Sequence, residues 1–355
     1  RSSLPEETLL QLYIILRNEK GLKEKLESYS EQYPLSIDEN EYADLVKFWI
    51  ENRGNMERRQ GNYGSYAQDD MYYFDQTVAE GHAVRANLFY TGMAAAGIEF
   101  ENYTCLESAH VLWHDIYEKQ MYVNGSTGST SNDEAYGGDY DLPNSGYCET
   151  CASSALAFFT GYMSLAFEDS TYADTLENIM YNAILGGIGQ DGRTFYYVQP
   201  LNSSSNARWN WNDCPCCVPM FLKFVSRLST YIYAYDDSRV FINQFISSSA
   251  TLASGVRLEM TTGMPYYGNC TVKVIGGSTQ LWIRIPAWAE GVTLKINGVD
   301  ASYTESNGYA VISVKAGDTV SYDMQLGVRR IYADPNVKAD VGRVTLAYGP
   351  IIYCI

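Results

Sequence analysis

The sequence predicts a multidomain chain of α and β parts: a helical domain over residues 1–235 and an antiparallel β-sandwich over residues 236–355. Three observations predict it. Up to Tyr235, segment after segment repeats apolar residues at i, i+3, i+4 and i+7. From Asp236 onward apolar and polar residues alternate instead, between Gly, Asn-Gly and Asp turn signals. With 46% hydrophobic and 19% charged residues over 355 positions, the chain can bury a sizeable core in each of two domains.

The helical segments are, in order, ETLLQLYIILRNEKGL, EYADLVKFWIENRGN, HAVRANLFYTGMAAAGIE, CLESAHVLWHDIYEKQMY, CASSALAFFTGYMSLAF, YADTLENIMYNAILGGI and PMFLKFVSRLSTYIYAY. Several end in Gly or a Gly-containing loop, as a helix C-terminus does. Successive helices of similar length with short links predict stacked helical hairpins, and a closed α/α barrel and an α-solenoid both fit. Two long polar loops interrupt them, Val123 to Thr150 and Gln190 to Cys217. Loops of this length inside a compact domain usually carry function. The strand segments follow as VFINQFISSSATL, VRLEMTT, CTVKVIG, TQLWIRIPAWA, VTLKING, YAVISVKAGDTVSYDMQL and GRVTLAYGPIIYCI, with the boundary near Asp236–Ser238.

A formal net charge of −17 repels a phosphate backbone, so nucleic acid is excluded as the expected partner, while neutral sugars are indifferent to it. The 31 tyrosines and 6 tryptophans suit carbohydrate, whose faces stack on rings and whose hydroxyls meet OH and NH groups, although most of them are expected in core and sheet surface. No run of 18 apolar residues is seen, so no membrane span is expected. The opening RSSLPEETLLQLY carries neither initiator Met nor leader pattern, and the closing VTLAYGPIIYCI reads as an interrupted strand. The chain reads as a piece of a longer protein, and its compartment and oligomeric state stay open. N-x-S/T sequons occur at Asn102, Asn124, Asn202 and Asn269.

Five of the eight cysteines fall in two clusters, Cys148 and Cys151 in GYCETC and Cys214, Cys216 and Cys217 in NDCPCC, while Cys105, Cys270 and Cys354 are scattered. Each cluster stands at a loop-to-helix junction, where helix dipole and free amides favour thiolate over thiol. With Glu149 between the first pair, the clusters offer enough soft ligands for zinc. Spacing alone leaves three alternatives: a structural four-cysteine zinc site from Cys148, Cys151, Cys214 and Cys216, disulfides or inert buried thiols, and a catalytic site. The long loop that leads into the first cluster adds Asp133, Glu134, Asp139 and Asp141 in a Gly-rich aromatic setting. Carboxylates there could serve a glycosidase as proton donor. His110 and His114 share a helix face but have no companion ligand motif, and read as ordinary helix residues.

The stretches AEGHAVRANLFYTGMA, MYVNGSTGS, DEAYGGDYDLPN, YCETCAS, YADTLENIMYNAILGGIGQDGRTFYYVQPL, CPCCVP, LWIRIPAWAEGVTLKING and GRVTLAYGPIIYC resemble motifs found in this order in glycoside hydrolase family 127. That family includes β-L-arabinofuranosidases, and the resemblance runs from about Glu39 to the end. It implies an (α/α)6 barrel, lacking its first helices here, joined to a β-sandwich. It implies a retaining glycoside hydrolase acting on a plant-type oligosaccharide or glycoside. By motif, Glu149, Cys151, Cys216 and Cys217 would hold Zn2+, Cys216 would be the nucleophile and Glu134 the general acid/base. His82, in EGHAVRA, and Tyr197, in FYYVQPL, would line the sugar pocket. Cys148 and Cys214 match no ligand position and would pair or stay reduced. Where many members carry a histidine before Pro-Glu, this chain has Leu4. A non-catalytic carbohydrate-binding protein with a structural zinc is the alternative, distinguished by intact zinc without hydrolysis.

Overall fold

The computed structural model describes residues 5–29, 36–58, 61–210 and 213–353. Leu4 and Cys354 lie outside the described residues. Among them the helices are α1 (Pro5–Asn18), α2 (Leu22–Ser28), α3 (Glu39–Asn52), α4 (Ala83–Glu99), α5 (Tyr103–Asp115), α6 (Thr150–Phe167), α7 (Ser170–Asn178), the single turn α8 (Leu185–Gly187) and α9 (Cys217–Ser226). Side chains cap several starts: Asp38, Asn102 and Asp169 accept from amides of the first turns of α3, α5 and α7. Segments with π-type geometry, Ile116–Gln120 and Ile179–Ile184, continue α5 and α7.

Helices α4 and α6 form the centre of the helical part and pack on each other. Their interiors are rich in Ala, Gly, Ser and Thr, which lets the backbones approach, and most of their residues are buried. Phe89, Trp113, Phe158, Phe159 and Phe224 fill the space around them, with Trp113 Nε1 donating to Thr160 Oγ1 at 3.0 Å. Helix α6 is long and apolar enough to cross a membrane by length and composition, but 72% of it is buried in this core.

The β part comprises β1 (Tyr233–Tyr235), β2 (Arg239–Ile242), β3 (Ser248–Thr251), β4 (Arg257–Thr262), β5 (Asn269–Gly276), β6 (Ser278–Arg284), β7 (Val292–Ile296), β8 (Val299–Asp300), β9 (Thr304–Ser306), β10 (Tyr309–Lys315), β11 (Thr319–Met324), β12 (Val328–Ile331), β13 (Thr345–Tyr348) and β14 (Ile351–Tyr353). One sheet runs β1-β2-β6-β10-β9, a second β3-β4-β5-β11-β7-β8, and β12-β13-β14 make a third. The inward residues of the first two share one core, including Val240, Leu281 and Ile312 from one and Leu258, Val272 and Val320 from the other. Their alternation along β4 and β5 follows the period of two read from the sequence.

The structure differs from expectation at two places. The helical pattern read through Tyr235 stops at Tyr231, and Tyr233–Tyr235 is a strand paired with β2. Asp236 turns the hairpin by accepting from the amides of Ser238 and Arg239, so the expected boundary is a turn inside the β part. Moreover, β2 pairs with β6 in parallel, inside sheets that are otherwise antiparallel. This is possible because β3 to β5, which lie between them in sequence, belong to the other sheet and supply the crossover.

The two parts are tied by Arg284 of β6, which is fully buried. Its guanidinium contacts Asp174 and Glu177 of α7, with Nη2 2.6 Å from Glu177 Oε1, and Nε donates to Asn243 O at 2.7 Å. Trp288 Nε1 donates to Glu177 Oε2 at 2.7 Å.

Candidate active site

The starts of α6 and α9 meet. Glu149 is the cap residue of α6 and Cys151 lies in its first turn, while Cys216 caps α9 and Cys217 opens it. Both helices direct the positive ends of their dipoles there, which favours negative charge. One backbone bridge joins Glu149 to Val198, another joins Phe195 to Trp209, and a third joins His82 to Ala135. These lone bridges carry the two long loops to the helix starts.

One donor atom from each of Glu149, Cys151, Cys216 and Cys217 lies within 4.8 Å of all the others. Cys216 Sγ is 3.4 Å from Glu149 Oε1 and 3.4 Å from the Tyr197 hydroxyl. Cys217 Sγ is 3.4 Å from Cys151 Sγ and 3.8 Å from Glu149 Oε1. A tetrahedral ion with bonds of about 2.0–2.3 Å sets its ligands roughly 3.3–3.8 Å apart, so the set fits a small divalent ion. A second observation supports the fit. Glu149 Oε2 is buried with no hydrogen-bond partner, and a buried carboxylate oxygen left unpaired is costly unless something binds it.

The charge of the cluster concentrates on one sulfur. Donation from the thiols of Cys151 and Cys217 holds Cys216 down to about 2. Donation to Cys216 and Cys217, with burial, raises Cys151. For Cys217 a bond with Cys151 pulls down, but donation to Cys216 and burial raise it overall. Burial pushes Glu149 up to about 8, with the Cys216 charge adding to the effect. Cys216, the sulfur held lowest, is half-buried, whereas Cys151 and Cys217 are buried.

Glu134 faces this cluster from the first long loop. Tyr147 donates its hydroxyl proton to Glu134 Oε1 at 2.8 Å, and His82 Nε2 lies 3.0 Å from Oε2. His82 is the cap of α4, and its Nδ1 accepts from the Arg85 amide at 3.4 Å. Burial lowers the pKa of His82 against the pull of Glu134, which keeps the ring neutral. Gly81, with φ 74°, allows this approach, since a Cβ there would lie 1.9 Å from Ser65 O. Tyr197 completes the link between the two sides: its hydroxyl meets Cys216, its ring meets Tyr147 edge-on at 6.5 Å, and Trp209 stacks on it at 5.5 Å. Beside His82 a cavity of about 380 Å3 is lined by Tyr66, Glu80, Thr130, Asn132 and Asp133.

The structure thus brings His82, Glu134, Glu149, Cys151, Tyr197, Cys216 and Cys217 together. It leaves Asp139 outside, paired with Lys119 at 3.1 Å, and Asp133 exposed. The alternative zinc set from Cys148, Cys151, Cys214 and Cys216 is not assembled. Cys148 is buried, with φ 48°, beside the Tyr122 hydroxyl, and Cys214 is an exposed free thiol. His110 and His114 bond Tyr172 and Glu118, and the sequon residue Asn124 is buried. Tyr147 and Trp209 were missed as site residues. Their signal was proximity alone, since each stands within a few positions of a cysteine cluster.

Comparison with known proteins agrees along the whole chain. Residues 5–230 match the β-L-arabinofuranosidase GH127 catalytic domain, residues 239–327 the GH127 middle domain, and residues 328–355 the family's C-terminal domain. A non-reducing end β-L-arabinofuranosidase of Bifidobacterium longum subsp. longum is 33% identical over 304 residues, covering 79% of this chain and 46% of that protein. A solved GH127 β-arabinofuranosidase superposes with a TM-score of 0.86 at 28% identity, over 98% of this chain and 55% of that one. A GH127 β-L-arabinofuranosidase from Geobacillus stearothermophilus T6 gives 0.85 at 28% identity, over 98% and 57%. The chain spans about half the length of these relatives.

Proposed function

The chain belongs to glycoside hydrolase family 127, and from this we propose that it forms the catalytic centre of a retaining glycoside hydrolase acting on β-L-arabinofuranosides. In this reading the helical part is a portion of an (α/α)6 barrel, and the cluster holds zinc through Glu149, Cys151, Cys216 and Cys217. The observation that carries the reading is the convergence of one carboxylate and three sulfurs within 4.8 Å, across from a glutamate held at both oxygens. When bound, zinc would keep its cysteine ligands ionised at neutral pH.

The residues then divide the work. The Cys216 thiolate attacks the anomeric carbon, forming a C–S bond as the glycosidic C–O bond breaks. Glu134 gives its proton to the departing oxygen. Water next attacks the same carbon, Glu134 takes the water's proton, and the thiolate leaves, so two inversions retain the configuration. His82 and Tyr197 bound the sugar, and Trp209, stacked on Tyr197, supplies an apolar face suited to a ring. The cavity beside His82 offers room for the rest of the glycoside.

The test is a cysteine-directed β-L-arabinofuranosyl mimic incubated with the intact protein, followed by peptide mapping. A single adduct on Cys216 is expected. An adduct elsewhere, or none while zinc remains bound, would overturn the reading and leave a binding protein with a structural metal.

A further inference from the structure

The backbone does not by itself hold the Glu134 carboxylate in place. Asp133 and Glu134 are consecutive non-glycine residues with φ of 54° and 51°. That conformation is unfavourable for residues with a Cβ and persists only where surroundings impose it. The side chain is also one-third exposed, at 34%. Two contacts hold it, one on each oxygen. His82 Nδ1 accepts from the Arg85 amide, so the neutral ring carries its proton on Nε2 and donates it to Oε2. The ring N–H can only donate, so Oε2 stays an acceptor and the transferable proton falls to Oε1, whose contact is the Tyr147 hydroxyl at 2.8 Å, a group compatible with either state of that oxygen.

Tyr147 is itself firmly placed. Its amide donates to Ser129 O at 3.0 Å, its carbonyl accepts from Gln199 N at 3.3 Å, and the next amide, of Cys148, donates to Gly128 O at 2.8 Å. The ring is set edge-on against Tyr197, whose hydroxyl reaches Cys216. A displacement of the metal-side loop would thus reach the acid through this ring.

We propose that Tyr147 is a positioning residue for proton transfer, its hydroxyl locating Oε1 of Glu134 where the glycosidic oxygen must arrive. The proposal rests on Glu134 being the acid/base. In the first step the proton passes from Oε1 to the leaving oxygen as the C–O bond breaks, and in the second a proton returns from water to Oε1. Tyr147 keeps its own proton throughout.

The test separates positioning from packing by the leaving group. An acidic phenol departs without a proton, whereas an alcohol or sugar needs one, and kcat/KM reports this first step. With Tyr147→Phe, kcat/KM should fall about tenfold or more for alkyl or sugar β-L-arabinofuranosides and less than about threefold for the dinitrophenyl glycoside. In a Glu134→Gln background the same substitution should change rates less than about twofold, since its effect runs through Glu134. If phenylalanine impairs folding, 4-aminophenylalanine and 4-methylphenylalanine at this position, similar in size with only the first a donor, make the same comparison. An equal loss across leaving groups, or an additive loss in the double variant, overturns the proposal. A wild-type protein that cleaves none of these glycosides removes the underlying reading and the proposal with it.

Discussion

Replacing Arg284 with methionine removes one charge from the centre of the molecule at nearly constant side-chain length. The guanidinium is fully buried, and its contacts to Asp174, Glu177 and Asn243 O all disappear. Two carboxylates then lose the cation bonded to them, although Glu177 keeps the Trp288 donor and Asp174 keeps the Ala287 amide at 3.1 Å. Removing one partner of a buried ion pair costs about 3–5 kcal/mol, because the remaining charge stays buried. For a domain of roughly 150–250 residues that corresponds to a lowering of the midpoint on the order of 10 °C. The arginine joins α7 to β6, so scanning calorimetry should also show one transition splitting into two. Arg284→Lys should recover little, since one ammonium cannot reproduce the planar fork that spans both carboxylates and the Asn243 carbonyl. A loss below about 1 kcal/mol in Arg284→Met would refute the reasoning, since a truly desolvated pair cannot be broken so cheaply.

Burial, against the pull of Arg284, pushes Asp174 up to about 6 from a usual 3.8. The folded state therefore holds this proton more tightly than the unfolded state, and the contribution is full below about 3.8 and lost as pH rises through about 6. Urea titrations from pH 7 to 4 should show wild-type gaining up to about 3 kcal/mol relative to Asp174→Asn, and parallel pH profiles would contradict this. Elemental analysis should find one zinc per chain, with strong chelation or Cys151→Ala removing it and lowering the midpoint; a metal-free protein of unchanged midpoint would dismiss the site. Glu134→Gln should lower kcat/KM on sugar leaving groups by roughly 10²–10⁴, with azide restoring turnover of the dinitrophenyl glycoside, and an unimpaired rate would reassign the acid.

Much of the site could be read in the sequence because its residues come in short motifs whose order resembles one family. Helix positions followed from period, as in α6, where the whole predicted segment is helical, and α4, where all of it but the cap residue His82 is. The rest depended on directions that spacing does not encode. Cys148 and Cys151 are equally good ligands on paper, yet the left-handed backbone at Cys148 turns its thiol toward Tyr122. Tyr233–Tyr235 continued a helical pattern and became a strand because its neighbour Ile232 is buried in the sandwich core and β2 was available to pair. Tyr147 was one tyrosine among 31, and only the fold showed its hydroxyl against Glu134.

The lone backbone bridges at His82, Glu149 and Phe195 have a consequence for how such a chain can vary. A full ladder ties every neighbour into register, so inserting one residue displaces a whole face. A short bridge fixes a residue and its immediate neighbours and leaves the run beyond them free of a ladder. The exposed run from Leu201 to Ser205, between Val198 and Trp209, can lengthen, shorten or be exchanged while the cysteines and Glu149 stay where they are. The surface loop beside the candidate site can therefore be reshaped while the Glu and Cys side chains of the cluster are preserved.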